Sequence, residues 1–418
     1  MRNIGLNKQY PKAAPPCFSQ IGDNQCTGCA GCANACHQSA IKMELNQDGF
    51  YRPILRENLC DGCLACLQHC AVLVHIEHPE TITALSDNPD VYAAWSCDKE
   101  VHLSSSSGGI FSELARHILN QDGVVCGCEW GEHWIPRHVM IRTWDDVPRL
   151  RGSKYIPSNV SERFYRGIIE LANTDTTVLF CGTPCQVAGL KCIAPPAARD
   201  NLILVDLVCH GVPSLTSFQK YLAWRFGGTD NLEYFAFRNK EISVATICAI
   251  TKSGSKYLAS VGSDCWYRAA MVYHMLLQRS CFDCQFASLP RCGDITLGDF
   301  WGIPESWHDP HGDSVVLANT NKGKYLLQLL IESDSISVRK SNYETATAKI
   351  SRLRGSIYPV PQLRDLSLRL FAAGRSFSLF YNLIYLPLSF RERAIGYVKR
   401  RLQFLSNIGQ RIWPHGAC

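Results

Sequence analysis

Residues 26–36 read CTGCAGCANAC and residues 60–70 read CDGCLACLQHC, and these two runs decide the fold of the N-terminal part of the chain. Both have the spacing C-x2-C-x2-C-x3-C, which indicates an internal duplication. Three thiolates placed two residues apart wrap a tight loop around one iron–sulfur cubane, and the fourth cysteine reaches the other cluster. The spacing therefore predicts two 4Fe–4S clusters with crossed ligand sets.

The crossed pattern assigns one cluster to Cys26, Cys29, Cys32 and Cys70, and the other to Cys60, Cys63, Cys66 and Cys36. Zinc sites draw cysteines in separated pairs, and a disulfide scaffold needs an oxidising compartment, so both alternatives fit less well. Bacterial ferredoxins usually carry Pro after the fourth cysteine, where this chain has His37 and Ala71. Because that proline ligates no metal, we predict a bacterial-type dicluster ferredoxin module over residues 21–80, after a lead-in at 1–20.

The overall composition limits the class of protein. A chain of 418 residues suggests two to three domains, and a formal net charge of +5 gives no argument for a nucleic-acid partner. Twenty-two cysteines without an apolar N-terminal signal segment indicate a reducing cytoplasm. Because no apolar run reaches the roughly 18 residues of a membrane span, we expect a cytoplasmic protein that is at most peripheral, at the inner face of the membrane.

Three loops in the middle of the chain could face a ligand. The loop SSSSGG at residues 104–109 opens a helical pattern over 110–119 and could bind a phosphate, or form an ordinary N-cap. The loop RLRGSKY at residues 149–155 could clamp an anionic cofactor, or be a solvated charged turn. The segment ITLGDFWG at residues 295–302 suits a ligand-facing turn, or a packed turn.

Two apolar runs, at residues 178–180 and 202–209, predict buried strands that alternate with helices. This alternation predicts an α/β core with cofactors at the carboxyl ends of its strands. Four thiolates in this region could bind a third 4Fe–4S cluster: Cys185, Cys209, Cys281 and Cys284. A zinc ion is the alternative, and Cys181 and Cys292 are further candidates for a ligand.

The composition changes in the C-terminal extension, residues 345–418. An apolar and aromatic run at 377–388 precedes a basic stretch that extends to Arg411. This extension could be an interfacial helix on anionic lipid, or a helical appendage that packs on the body or on a second subunit. We therefore expect an α+β / α/β fold: a ferredoxin module, a mixed α/β domain over 90–340 and a helical tail.

The ordered motifs over about residues 90–340 resemble the coenzyme F-420 hydrogenase/dehydrogenase beta-subunit family. They are SGG at 107–109, RGSKY at 151–155, GTPCQ at 182–186, CHG at 209–211, the pair Cys281 and Cys284, and GDITLGDFWG at 293–302. The resemblance implies an FAD site and a 4Fe–4S cluster in the α/β body, with the cluster on the four core cysteines. The residues implied to hold FAD are Ser106, Ser107, Gly108, Gly109, Arg151, Gly152, Ser153, Lys154, Tyr155 and Thr183.

The resemblance also implies electron transfer between the clusters, FAD and an organic acceptor. Lys154 would stabilise the reduced flavin or the pyrophosphate, and His210 and Asp299 are candidates to relay a proton. For the latter two, a hydrogen bond that stabilises a turn is the alternative.

Three functions are compatible with these parts. The first is a flavin reductase fed by reduced ferredoxin or another carrier, acting on a small molecule, in a surface-polysaccharide context. The second is a subunit that oxidises or reduces the deazaflavin coenzyme F-420 within a larger complex. The third is an electron-transfer or scaffold protein without a substrate site. A homo-oligomer is compatible with all three.

Overall fold

The computed structural model describes residues 14–83, 88–240, 242–355 and 357–392. Within these ranges the chain forms thirteen β-strands. They are β1 Ile41–Leu45, β2 Tyr51–Leu55, β3 Asp90–Ser96, β4 Val124–Trp130, β5 Pro136–Ile141, β6 Val178–Gly182, β7 Leu202–Leu207, β8 Leu232–Ala236, β9 Thr246–Thr251, β10 Lys256–Ser260, β11 Ile295–Asp299, β12 Ser314–Ala318 and β13 Ile336–Ser341.

The α-helices in the same ranges surround these strands. They are α1 Pro16–Gln25, α2 Gly31–Ala35, α3 Ala65–Gln68, α4 Ala71–Glu77, α5 Lys99–Ser104, α6 Ile110–Leu119, α7 Val147–Leu150, α8 Phe164–Ala172, α9 Pro184–Ile193, α10 Pro196–Asp200, α11 Leu215–Phe226, α12 Cys265–Tyr267, α13 Asn321–Glu332, α14 Tyr343–Thr347, α15 Arg364–Ala372 and α16 Phe377–Phe380. Short 3-10 and π turns link several of them.

The N-terminal module, residues 14–83, contains the antiparallel hairpin β1–β2 and two cysteine loops. Each loop has two residues with positive φ at matching places of the repeat: Gly28 and Ala30 in the first, Gly62 and Leu64 in the second. Left-handed residues let successive backbone N–H groups point into one concave loop. The duplication seen in the sequence is therefore repeated in the backbone.

The body is built on an eight-stranded sheet with the order β13-β3-β12-β11-β7-β6-β4-β5. The four central strands β4, β6, β7 and β11 are parallel, and the strands outside them pair antiparallel. The start of β6 is fully buried at Val178, Leu179 and Phe180, as expected for a parallel strand covered on both faces. The carboxyl ends of the central strands therefore meet at one edge of the sheet.

A second, three-stranded sheet with the order β10-β9-β8 lies between β7 and β11 in the sequence. It packs with α11 around an aromatic core that includes Phe218, Phe237 and Trp266. The sequence analysis did not predict this sheet.

The C-terminal segment is helical and packs on this aromatic core. Phe377 and Phe380 are 1% and 0% exposed, so the aromatic side of this segment faces the body, while Leu383 and Phe390 remain exposed. The basic residues from Arg393 to Arg411 lie outside the described residues. No helix in the described ranges is long and apolar enough to cross a membrane. The mixed α/β fold with a helical C-terminal segment is confirmed.

Candidate functional site

The first crossed set of N-terminal thiols comes together beside the body. Burial raises the pKa of the Cys70 thiol, and the neighbouring Cys26 thiolate raises it further. Burial also raises the pKa of the Cys29 thiol, and the nearby Cys70 thiolate adds to this increase. Cys70, from the second run, therefore lies among the cysteines of the first run. The assignment of these thiols as metal ligands stays a prediction.

The second set is the more exposed one, since Cys60 and Cys63 lie at the surface. The Ala65 N–H lowers the pKa of Cys63, but the nearby carboxylate of Asp61 raises it, and the Cys36 thiolate adds to the net increase. Cys36, from the first run, therefore lies beside the second run. The two groups of thiols are crossed in the way that dicluster ligation requires.

The four core cysteines also come together, behind the ends of β6 and β7. Burial raises the pKa of Cys185 well above its usual value, and the nearby thiolates of Cys284 and Cys209 raise it further. Burial raises the pKa of Cys281 to about 12, again with contributions from Cys209 and Cys284. Of the two further candidates, Cys292 lies near Cys284, so it stays an alternative ligand.

The two alternatives for the core thiols, a third cluster and a zinc ion, both stay predictions. Within the described ranges, three potential metal-ligand atoms that lie within 4.8 Å of one another are found at His37, Asp61 and Cys63.

A buried arginine from the C-terminal segment completes the core thiol site. Arg352 is 4% exposed, and its guanidinium donates to the carbonyl of His210 at 3.0 and 2.7 Å and to the carbonyl of Cys281. A positive charge at this place offsets the negative charge of neighbouring thiolates. Sequence reasoning missed Arg352 because it lies beyond residue 345, outside the recognised motifs.

The N-terminal module and the core site meet at α9. The Tyr165 hydroxyl lies 3.0 Å from the carbonyl oxygen of Cys29 and 3.1 Å from that of Gln186. A Cβ on Gly189 would lie 3.2 Å from the Cys29 sulfur, so the helix approaches the first thiol set closely. Because Cys185 is in the first turn of the same helix, α9 connects the two sites.

A cavity of about 280 Å³ lies at the carboxyl ends of the central strands. It is lined by parts of five of the six motifs named from the sequence, at residues 105–107, 151–156, 181–183, 209–212 and 297–299, but not by the pair Cys281 and Cys284. In its wall, the Thr183 hydroxyl lies 3.2 Å from the Cys185 sulfur. The volume is close to the lower end of the range for small-molecule sites, about 300–1,000 Å³. The cavity thus adjoins the core thiols directly.

The Ser/Gly loop contributes hydroxyl groups and one glycine to the cavity. Ser106, Ser107 and Gly109 line it, and the Ser106 hydroxyl accepts a hydrogen bond from the Ser153 N–H at 2.8 Å. Gly108 lies instead against the β3 backbone, where there is no room for a Cβ. The loop therefore joins the basic loop at the cavity wall, and its conformation depends on close packing at Gly108.

The basic loop brings two cations to the cavity, but their contacts differ. Arg151 donates to the hydroxyls of Ser112 at 3.0 Å and Ser104 at 2.9 Å. Lys154 turns back onto its own loop and donates to the carbonyls of Arg151 at 2.9 Å and Gly152 at 3.1 Å. Burial lowers the pKa of Lys154. Lys154 therefore fixes the shape of the loop around the cavity.

A buried arginine from the loop after β8 links two of the predicted residues. Arg238 donates from Nε to the Tyr155 hydroxyl at 3.1 Å and forms an ion pair with Asp299. Both Tyr155 and Asp299 line the cavity. The Asp299 carboxylate is thus held by a charged partner, which favours the turn-stabilising alternative. Arg238 carried no motif signal in the sequence.

His210 lies in the cavity wall and pairs with a second histidine. Its Nε2 atom is 2.8 Å from Nε2 of His274. Burial, together with the nearby His274 and Arg352, lowers the pKa of His210 to about 4. The imidazole is therefore neutral near pH 7, and one N–H is shared between the two rings.

Buried thiols and a cavity that meet at the carboxyl ends of a parallel sheet place the chain among α/β proteins with a ligand site at the strand ends. Comparison with known proteins identifies the family. Residues 91–163 match the family described as coenzyme F420 hydrogenase/dehydrogenase, beta subunit N-term, and residues 175–343 match its C terminus. These stretches cover more than half of the chain. It belongs to the coenzyme F420 hydrogenase/dehydrogenase beta-subunit family.

Two individual proteins show the extent of the similarity. The chain is 22% identical over 205 residues to one component of the F(420)H(2) dehydrogenase of Methanosarcina mazei, over 47% of this chain and 56% of that protein. It thus spans little more than half the length of this relative. A chain of the F420-reducing [NiFe] hydrogenase complex from Methanosarcina barkeri is 19% identical, with a TM-score of 0.46, over 64% of this chain and 90% of that chain.

Proposed function

We propose that this chain is an iron–sulfur flavoprotein oxidoreductase that passes electrons between a protein carrier, such as reduced ferredoxin, and an organic substrate. One observation carries the proposal: two crossed thiol sets, a third thiol set and a cavity follow one another in space, joined by α9. Cys29 of the first set contacts this helix, and Cys185 begins it. Redox centres arranged in such a series suit stepwise electron transfer.

The cofactors would supply the redox chemistry: three 4Fe–4S clusters carry single electrons, and FAD couples one-electron to two-electron steps. The chain fits them with a positive charge at Arg352 beside the core thiols and with hydroxyls and Arg151 at the cavity wall. The close packing of α9 on the Cys29 loop makes the first thiol set and the core thiol set neighbours. These residues would bind and orient the cofactors.

Proton handling at the cavity involves His210 and its partner His274. Since both imidazoles are within hydrogen-bond distance, a proton released at the cavity wall can move from one ring to the other. Asp299 and Lys154, held by Arg238 and by loop carbonyls respectively, act as positioning residues for the wall.

The proposal is tested by the metal and flavin content of the protein purified without oxygen. About twelve iron atoms, matching sulfide and one FAD per chain are expected for three cubanes and a flavin. About eight iron atoms with one zinc ion and no flavin would overturn the proposal. The protein would then be a ferredoxin module joined to a zinc-stabilised binding domain.

A second candidate is a subunit that exchanges electrons with the deazaflavin coenzyme F420 inside a larger complex. The family match and the relative in the F(420)H(2) dehydrogenase favour it. Mixing the flavin-loaded protein with reduced F420 without oxygen tests it, because oxidation restores the visible absorption of the deazaflavin. No absorbance change with the active, fully loaded protein excludes this candidate and leaves another organic substrate.

A further inference from the structure

The C-terminal helical segment buries one side and leaves an apolar row of side chains on the other. Residues 377–392 are helical, and Phe380 packs on the body with 0% exposure. Leu383 and Phe390 are 62% and 61% exposed, and Pro387 between them is exposed as well. Spacings of four and three residues place these three side chains along one side of a helix. Such an exposed apolar row, in contrast to a single exposed residue, indicates a contact surface.

Contacts with the body fix the rotation of this segment. Glu392 accepts hydrogen bonds from Arg268 at 3.0 Å and from the Tyr273 hydroxyl at 2.6 Å. One helical stretch earlier, the ring of Tyr385 lies 6.0 Å from that of Tyr273. The acidic side chain is therefore held against the body together with the aromatic ones, and the apolar row faces away from it.

The positive charge of the chain is concentrated where this segment continues. Six of the 42 basic residues and one of the 37 acidic residues lie in 391–418, so residues 1–390 hold 36 of each and the net charge of +5 belongs to this stretch. Its acidic residue is Glu392, which is paired with Arg268. The basic residues are Arg391, Arg393, Lys399, Arg400, Arg401 and Arg411. Of these, Arg391 lies in the described part of the chain.

We propose that the apolar row and the basic residues that follow it bind the protein to the surface of an anionic lipid membrane. The row enters the boundary between headgroups and acyl chains, and the basic side chains contact the anionic headgroups. Apolar burial and electrostatic attraction together are what a peripheral lipid-binding segment requires. This inference goes beyond the proposed function and does not depend on which cofactors the protein binds.

The two features together favour a membrane over other partners. A nucleic acid would attract the basic residues through its phosphates but would leave the apolar row exposed to water. A second copy of this chain would bring the same positive charge, and like charges repel. An anionic lipid surface satisfies both the charge and the apolar row.

The test is sedimentation of the full-length protein, purified without oxygen, with lipid vesicles. We expect the dissociation constant to be at least tenfold lower for vesicles of equal parts phosphatidylglycerol and phosphatidylcholine than for phosphatidylcholine alone, because several cations each add to the attraction. Raising the salt from about 0.1 M to about 1 M shortens the Debye length from about 10 Å to about 3 Å. Binding to the mixed vesicles should weaken accordingly.

Two sets of substitutions separate the apolar from the charged contribution. Leu383→Ser combined with Phe390→Ser should weaken binding to the mixed vesicles about tenfold or more, because the burial of two apolar side chains is lost. Reversal of charge at Lys399, Arg400 and Arg401 to Glu should remove the preference for phosphatidylglycerol. Since Leu383 and Phe390 are exposed, the circular dichroism of the first variant should match that of wild type. If the double variant does not fold, Phe390→Ser alone should still weaken binding.

The matched control combines Ile76→Ser with Tyr325→Ser, which are 55% and 67% exposed at other places of the molecule. This control should bind both kinds of vesicle as wild type does. It shows whether any loss of exposed apolar surface reduces sedimentation with lipid.

Four results would overturn the inference while the proposed function stands. The first is a wild-type protein that binds neither kind of vesicle, and the second is unchanged binding of the Leu383→Ser and Phe390→Ser variants. The third is a dimer that dissociates on Phe390→Ser without any vesicle binding, which would assign the apolar row to a second copy. The fourth is binding of duplex DNA but not of vesicles, which would assign the basic stretch to nucleic acid.

Discussion

A buried carboxylate, Asp206, fixes the loop that follows the core thiol pair. Asp206, on β7, is fully buried and accepts hydrogen bonds from Arg291 at 3.0 Å and from the N–H groups of Cys292 and Gly293 at 3.2 and 3.0 Å. Arg291 is itself 2% exposed. The carboxylate thus ties the loop that follows the core thiol pair to the central strand.

Asp206→Asn should destabilise the protein strongly. Removing one partner of a buried pair leaves an uncompensated charge on Arg291, which costs about 3–5 kcal/mol. Urea unfolding followed by circular dichroism measures the loss. The matched control is Asp90→Asn, which removes an exposed ion pair with Lys324 of 3.0 Å and should change stability by about 0–1 kcal/mol. Equal effects of the two substitutions would contradict the structural role of Asp206.

Among the elements of the body, α9 packs closely on the first cysteine loop of the N-terminal module. Gly189→Val should push the Cys29 loop away from the helix, because even a Cβ at this position would lie 3.2 Å from the Cys29 sulfur. We expect faster hydrogen exchange over residues 26–34 and 184–193, measured by mass spectrometry. Unchanged protection there would show that the contact is not tight.

Gly167→Ala is the control for this glycine. Gly167 also lies in a helix, α8, but a Cβ there meets the flexible end of Met140. Because glycine destabilises a helix relative to alanine, the substitution should stabilise the protein by about 0.5–1 kcal/mol and leave the exchange of the Cys29 loop unchanged.

The start of α12 gives a pH-dependent contribution to stability. Asp264 is 2% exposed and accepts hydrogen bonds from the hydroxyls of Tyr221 at 2.5 Å and Tyr257 at 3.0 Å and from the Tyr267 N–H at 2.7 Å. Burial raises its pKa, although these hydrogen bonds lower it. The folded state therefore keeps this proton to a higher pH than the unfolded chain.

This carboxyl should make the protein less stable as pH rises from about 4, the value of an unfolded aspartate, through the raised pKa. Asp264→Asn removes the titration, so the stability of the variant relative to wild type should increase over that interval. Urea midpoints along the pH scale measure the difference. Asp145→Asn, at an exposed position, should follow the wild-type profile. A constant difference between wild type and Asp264→Asn would contradict the assignment.

The elements with a strong local pattern could be predicted from the sequence. The helix expected over 110–119 is α6. The apolar run at 178–180 forms the start of β6 and the run at 202–209 contains β7, because buried parallel strands are continuously apolar. The sheet β8–β10 was missed, since it pairs strands across turns without a distinctive signal. Its aromatic residues pack on elements distant in sequence, which local periodicity does not register.

At the scale of the whole molecule, the thiol sets differ in exposure. The set with Cys60 and Cys63 lies at the surface, the set with Cys29 adjoins α9, and the core set adjoins the cavity. From this order we expect electrons from the proposed protein carrier to enter at the exposed set. A small reductant such as dithionite needs no docking surface and can reduce the proposed centres by another route.

Cys63→Ser should therefore remove about four of twelve iron atoms and slow reduction of the bound flavin by reduced ferredoxin. Reduction by dithionite should stay close to the wild-type rate. Cys97→Ser, an exposed cysteine outside the three sets, should change neither rate. Iron analysis and stopped-flow absorbance provide the measurements, and an unchanged rate with ferredoxin would contradict this order of the sets.

The candidate site could be predicted in part for a physical reason. Cysteine spacing and glycine-containing loops are constrained over a few residues, so their signals are local. Arg352, Arg238 and His274 act through tertiary contacts, and their neighbours in sequence are unremarkable. The sequence could therefore indicate which thiols and loops form the site, but not which buried cations and imidazole complete it.

Because Arg352 contacts the core thiol site from far along the chain, the thiol sets become complete one after another during translation. The ribosome releases Cys26 to Cys70 early, and domains fold from the N-terminus onward, so both crossed thiol sets exist while most of the chain is still unmade. The core set stays incomplete until Cys284 has emerged, and its balancing charge arrives later still, with Arg352. We therefore expect that the two proposed N-terminal centres can be loaded on the nascent chain, whereas the proposed third centre waits for Cys284 and Arg352.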